Sequence, residues 1–149
     1  MRIRNLMNNK KGFSLIELAI GVALLAVLVG AVVAGSGMMP KMKVQRESDT
    51  VNSLRTAAQN YLTASQTTYT GVSITVLKTA GYLPNFNSTG TNQWAGNYTV
   101  AVNGTTATSV DISLTNVPDA ATGTLLTNNF PSAVCTYTAS TKTWTATFS

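Results

Sequence analysis

The sequence predicts an α+β protein in which a long N-terminal α-helix packs on a small antiparallel β-sheet of about four strands. Three observations predict it. Residues 18–39 carry no charged side chain, a helical apolar stripe continues beyond them to about Ser65, and four short β-type runs separated by turn residues occupy the C-terminal part. At 149 residues the chain has room for one globular domain behind an N-terminal segment.

Taken in order, residues 1–12 (MRIRNLMNNKKG) are basic and hold no acid. From Phe13 the chain turns hydrophobic. The 22 positions from 18 to 39 would span roughly 33 Å as a helix, enough to cross a bilayer core. The basic flank in front predicts an inside N-terminus, since Lys41, Lys43 and Arg46 beyond the run are offset by Glu47 and Asp49. A secretory signal peptide is a rival reading, with Ala34-Gly35-Ser36 imitating a cleavage site. Its apolar core would be shorter, and Glu17 near the start does not suit it.

After Pro40, Val44, Val51, Leu54, Ala58 and Tyr61 or Leu62 recur at helical steps, with Gln45, Arg46, Ser48, Asp49, Asn52 and Arg55 off the stripe. This predicts the amphipathic half of one long helix, residues 41–66, behind an apolar half, residues 13–40. Gly35, Gly37 and Pro40 mark its flexible stretch, because glycine weakens a helix interior and proline removes a hydrogen bond. Residues 67–149 read as a β-rich head. Ser73–Ala80 is a short helix capped by Gly81. The strands are Asn97–Val102, Ser109–Thr115, Ala133–Thr138 and Thr143–Phe148, with Asn103-Gly104 as a hairpin dipeptide. Pro118-Asp119-Ala120 opens a second short helix running to Asn129. Val110, Ile112 and Leu114 alternate with Asp111, Ser113 and Thr115, so one sheet face is buried, against the apolar stripe of the helix.

Composition excludes several function classes. The net charge of +5 belongs mainly to Arg2, Arg4, Lys10 and Lys11; from Phe13 on there are six basic against five acidic side chains. A nucleic-acid surface needs clustered Lys and Arg on the folded part, and none is evident. No histidine and one cysteine, Cys135, leave neither a Cys-rich zinc site nor an intrachain disulfide, and no base–nucleophile pair for catalysis. No metal and no cofactor is expected. Cys135 reads by default as a small buried hydrophobe. Asp119 starts a helix and Asp111 lies on a polar strand face. Asn87-Ser88-Thr89, Asn97-Tyr98-Thr99 and Asn103-Gly104-Thr105 match a glycosylation pattern that is usually idle in bacteria. Tyr61, Tyr69, Tyr82, Trp94 and Trp144 read as core or interface residues.

The informative segment is Lys10-Lys11-Gly12-Phe13-Ser14-Leu15-Ile16-Glu17, immediately before the apolar run. It resembles the class III signal of type IV pilins and pseudopilins, strongly over residues 10–34 and architecturally over the rest. The resemblance implies the pilin fold. It also implies that residues 1–12 are a leader removed by a prepilin peptidase, with Phe13 the N-methylated first residue and Glu17 the glutamate at mature position five. A carboxylate at the centre of a membrane helix costs about 2.5–3.5 kcal/mol. Glu17 either snorkels near the interface or pairs with the Phe13 amine that cleavage creates, on its own or a neighbouring helix; pairing is the favoured reading.

The small residues Ala19, Ala23, Ala26, Gly30 and Ala34 follow at three- or four-residue steps opposite a bulkier face of Leu15, Leu18, Val22, Leu25 and Val29. Small residues let helices approach closely in apolar surroundings, although an Ala-rich helix shows such a stripe by chance as well. Asn92-Gln93-Trp94-Ala95-Gly96-Asn97-Tyr98 resembles the aromatic–Gly element of the family. Together with Leu114-Thr115-Asn116-Val117-Pro118, it is similar to type IVb pilins. The chain departs from the family pattern in lacking the C-terminal cysteine pair and the early helix proline.

The resemblance implies a structural subunit of a type IV pilus, with copies of itself, the prepilin peptidase, an inner-membrane assembly platform and the membrane as partners. It would sit in the bacterial inner membrane with a cytoplasmic N-terminus and then in an extracellular surface filament. A secretion pseudopilin in a periplasmic pseudopilus, or a minor pilin, is the alternative. A single-span membrane-anchored binding protein is the alternative from another class.

Overall fold

The computed structural model describes residues 14–36, 38–65, 67–84, 86 and 90–149, with side chains of residues 32–39 and 65 left aside. The chain divides into two units, Met1–Met38 and Met39–Ser149.

In the first unit, α1 spans Leu15–Ser36. Its only charged side chain is Glu17, in the first turn. Each of its described side chains is exposed, from Leu15 through Ala31.

All but the first residue of α2, Met38–Ser65, belongs to the second unit. The predicted long helix is described as α1 up to Ser36 and as α2 from Met38. Pro40 stands in the first turn of α2, where a missing N–H would have no intrahelical partner anyway. Gly35 lies in the last turn of α1, and Gly37 lies outside the described residues. The apolar stripe is as expected: Val44, Val51, Leu54, Ala57 and Ala58 are buried, and Tyr61 and Leu62 pack against them half-buried.

α3, Ile74–Thr79, is opened by the Ser73 side chain, which accepts from the Val76 N–H. It closes in a Schellman arrangement. Gly81 N–H bonds to the Lys78 carbonyl and Tyr82 N–H to that of Leu77, with Gly81 at φ 81°. α4, Ala120–Asn128, starts at Asp119, whose carboxylate accepts from Thr122 N–H at 2.7 Å. That bond holds the Asp119 carboxyl below its ordinary range.

Strands β1 (Tyr98–Val102), β2 (Val110–Leu114), β3 (Val134–Thr138) and β4 (Thr143–Phe148) form one antiparallel sheet in the order β1-β2-β4-β3. The four predicted runs become these four strands, shortened by one residue at some ends. Val110, Ile112 and Leu114 pair with Phe148, Ala146 and Trp144, and all six are buried. The intervening residues, Asp111 and Ser113 with Thr145 and Thr147, line the opposite, more polar face. Trp144 donates from Nε1 to Thr127 Oγ1 at 3.1 Å, so its one polar atom is satisfied inside the core.

The hairpin expectation needs correction. Asn103-Gly104 does not form a two-residue turn, because β1 ends at Val102 and β2 starts at Val110. Asn103 instead organises a wider loop. Its Oδ1 accepts from Thr105 and Thr106 N–H, and its Nδ2 reaches the Asp111 carboxylate. The buried reading of Cys135 also needs correction: it is half-buried on edge strand β3, a free thiol whose pKa is pushed up by burial.

Candidate functional site

The start of α1 is where the sequence places the chemistry. Gly12 and Phe13 lie outside the described residues. The next residue, Ser14, is the N-cap of α1. Its backbone N–H donates to Glu17 Oε2 at 2.9 Å, and its Oγ accepts from Ile16 N–H at 3.2 Å. Ser14 and Glu17 thus satisfy each other's end of the helix, as in a capping box, where an acid three residues in reaches back to the capping residue. Sequence reasoning favoured pairing of Glu17 with the Phe13 amine of its own or a neighbouring helix and overlooked this local partner. The signal was present as Ser-Leu-Ile-Glu ahead of an apolar run.

Ala19, Ala23, Ala26 and Gly30 are all exposed, and nothing outside the helix lies within 4 Å of where a Gly30 Cβ would stand. Ala34 belongs to α1, but its side chain is not among those described. The bulky residues around them are exposed as well, Leu15 by 88% and Val22 by 61%. The small stripe is therefore one sector of a helix whose described side chains are open to their surroundings all round. Among the described residues, no helix is long and apolar enough to cross a membrane. The described side chains of α1 stop at Ala31.

A second constellation, which the sequence reading did not single out, ties the aromatic–Gly segment to α2. Glu47 is 1% exposed. Its Oε1 accepts from Gln93 N–H at 2.7 Å and its Oε2 from the Tyr98 hydroxyl at 2.5 Å. Burial pushes the Glu47 carboxyl above its ordinary range, and these two bonds pull it part of the way back. Burial, with the neighbouring carboxylate, also raises the Tyr98 phenol. Asn92, itself buried, folds the segment on itself: its Oδ1 accepts from Trp94 and Gly96 N–H, and its Nδ2 donates to the Thr115 carbonyl at 2.7 Å. Gly96 is required there, since a Cβ would collide with the Thr115 carbonyl.

The remaining candidates are structural. Asp111 accepts from Asn103 and from the Thr147 hydroxyl at 2.6 Å. Trp144 and Tyr69 are buried, while Tyr61, Tyr82 and Trp94 pack half-buried against the core. Asn97 and Asn103 of the glycosylation patterns are described; Asn87 lies outside the described residues. Among the described residues, no group of three His, Cys, Asp or Glu side chains is placed to hold a metal.

Two family models match the chain. The prokaryotic N-terminal methylation motif covers residues 7–33 and therefore includes Gly12, Phe13 and Glu17. The model described as PilS N terminal covers residues 41–146, more than two thirds of the chain. Neither a curated protein nor a solved structure matches it.

Proposed function

For a chain that belongs to the PilS N-terminal family and is a type IV pilin-like protein, we propose the role of structural subunit in a type IV pilus filament. A prepilin peptidase cuts between Gly12 and Phe13 and methylates the new amine. α1 then holds the subunit in the inner membrane, N-terminus inside, until an assembly platform transfers it to the filament, where α1 packs against copies of itself. The subunit has no catalytic role; residues 67–149 form its β-rich head.

The observation that carries this reading is the exposure of α1. Leu15, Ile16, Leu18, Ile20, Val22, Leu24, Leu25, Val27, Leu28 and Val29 are each at least 56% exposed. Contiguous apolar surface of this extent belongs in lipid or in an interface. Small residues at Ala19, Ala23, Ala26 and Gly30 would let neighbouring helices approach. Glu17 then has a function that capping alone does not require. Cleavage creates an amine at Phe13, one residue before the N–H that Glu17 already accepts from. On docking, the carboxylate neutralises that amine on its own or a neighbouring subunit.

Mass spectrometry of the mature subunit tests the processing: a chain starting at methylated Phe13 is expected, and one starting at Met1 or after Gly35 would remove the reading. Electron microscopy of sheared surface material then separates a long filament from a short periplasmic pseudopilus. The pseudopilin alternative shares the same processing.

A further inference from the structure

Of the acids among the described residues, Glu47 alone is buried. Both of its oxygens reach from α2 to the segment 90–98, Oε1 accepting from Gln93 N–H and Oε2 from the Tyr98 hydroxyl. Both partners are neutral, and no cation compensates the carboxyl. On α2, Lys43 stands one turn before it and Arg46 and Asp49 close by in sequence, all three exposed. Residues 90–98 bring no titratable side chain besides Tyr98. α4, whose C-cap Asn129 bonds the neighbouring Ser48, brings none.

An ionised carboxylate taken out of water without a cation is costly, and neutral donors offset only part of that cost. The protonated acid suits this site better. The Thr50 side chain also reaches the Tyr98 phenol, and its own proton goes to the Arg46 carbonyl at 2.9 Å. Thr50 therefore has lone pairs free to accept the phenol proton, and the Tyr98 oxygen can then accept from Glu47. The other side of the segment is held independently. Asn92 accepts from Trp94 and Gly96 N–H and donates to the Thr115 carbonyl, and Asn97 N–H donates to Thr115 Oγ1 at 2.8 Å. Loss of the Glu47 bonds would free the segment from α2 and leave it attached beyond the end of β2.

We propose that Glu47 is a proton-operated latch between α2 and residues 91–97, closed while its carboxyl holds a proton and opened locally when the carboxyl ionises and turns to water. The latch lies within the second unit and needs no filament, so its failure and that of the pilus reading are separable. The sign follows from linkage. In the open state the carboxyl titrates at the ordinary value of about 4.3, and in the closed state burial raises it. Opening is therefore insensitive to pH below about 4.3, becomes easier by up to about tenfold per pH unit above it, and levels off once pH passes the raised value.

Amide hydrogen exchange of the full-length chain in detergent, followed by NMR across about pH 4–8, tests the latch. The protection factor of the Gln93 N–H, which donates to Glu47, should fall about tenfold or more as pH rises. That of the Gly96 N–H, which donates to Asn92, should stay level. Glu47→Gln keeps the shape without the ionisation and should abolish the fall at Gln93. Tyr98→Phe keeps the carboxyl and removes one partner, so it should lower Gln93 protection and leave the pH dependence in place. Gln93 protection that stays level or rises with pH in the wild type overturns the proposal. So does a parallel fall at Gly96, which would mean that the whole unit opens. A fall that survives Glu47→Gln, or wild-type protection in Tyr98→Phe, overturns it as well.

Discussion

α1 and α2 are helices of similar size, 22 and 28 residues, with opposite fates for their apolar side chains. α2 carries one apolar stripe, and the sheet and short helices of its own chain bury it: Val51 and Leu54 are fully covered. α1 is apolar on every side, and its described side chains remain exposed. An amphipathic stripe can be satisfied within one small domain, whereas a helix apolar all round needs lipid or other helices. The second unit is complete in its packing, and the first presents surface that only its surroundings can cover.

The comparison breaks most visibly in the core. Trp144→Ala removes the largest fully buried side chain and its bond to Thr127, and should cost the second unit about 3–5 kcal/mol. Chemical unfolding of the full chain, followed by near-UV circular dichroism, measures it; a loss below 1 kcal/mol would mean that this core is not what holds the unit. Glu17→Gln should do the reverse, leaving that unfolding curve unchanged. Processing should continue, while the yield of sheared filaments falls at least about tenfold, consistent with the cost of a misplaced charge in a membrane helix. Wild-type yield from that variant would contradict the pairing of Glu17 with the Phe13 amine.

Glu47→Ala leaves the Gln93 N–H and the Tyr98 hydroxyl without their acceptor and should destabilise the second unit by about 1–3 kcal/mol. Glu47→Gln retains much of the shape and separates charge from packing. The folded state raises the Glu47 pKa, so it binds the proton more tightly than the unfolded chain does. That contribution is fully present below the ordinary glutamate value of about 4.3 and is lost as pH rises through the raised value. Unfolding measured across this window should show stability falling in wild type, with that component absent in Glu47→Gln. Asp119 has the opposite sign: its pKa is lowered, so its contribution is lost as pH falls. Smallest of all, Ser73→Ala should cost about 1 kcal/mol through the cap of α3, readable as a local rise in hydrogen exchange at Val76.

The fold was written in periodicities that burial enforces. The alternation in β2 and β4 and the stripe of α2 could be read because each residue's face is decided by its offset from its neighbours. Glu47 was missed for an instructive reason. Val44 and Val51 stand seven residues apart, and the gap hides a residue three after one and four before the other, on the same helix face. A polar residue at such a step is a candidate for burial. Ser48 is the same case, set off the stripe by the pattern yet 2% exposed, with its hydroxyl on the Val44 carbonyl and receiving Asn129. Asn103-Gly104 misled because local turn preference was outvoted by the Asn103 side chain, which bonds Thr105, Thr106 and Asp111 across a longer loop. The Glu17 partnership with Ser14 could be read from spacing alone, but the functional reading of Glu17 drew attention away from it.

The strand order has a consequence for biogenesis. β4 sits between β2 and β3, so of the four described strands the one synthesised last joins the two halves of the sheet. Until residues 143–148 emerge, β2 lacks its partner on one side and β3 has none. The core also lacks Trp144 and Phe148. Long-range pairing of this kind is slow to form, and a chain interrupted short of Phe148 exposes sheet edge and core. A truncated product would therefore be presented to proteases as an unfolded one. The sheet would close only once β4 has left the ribosome.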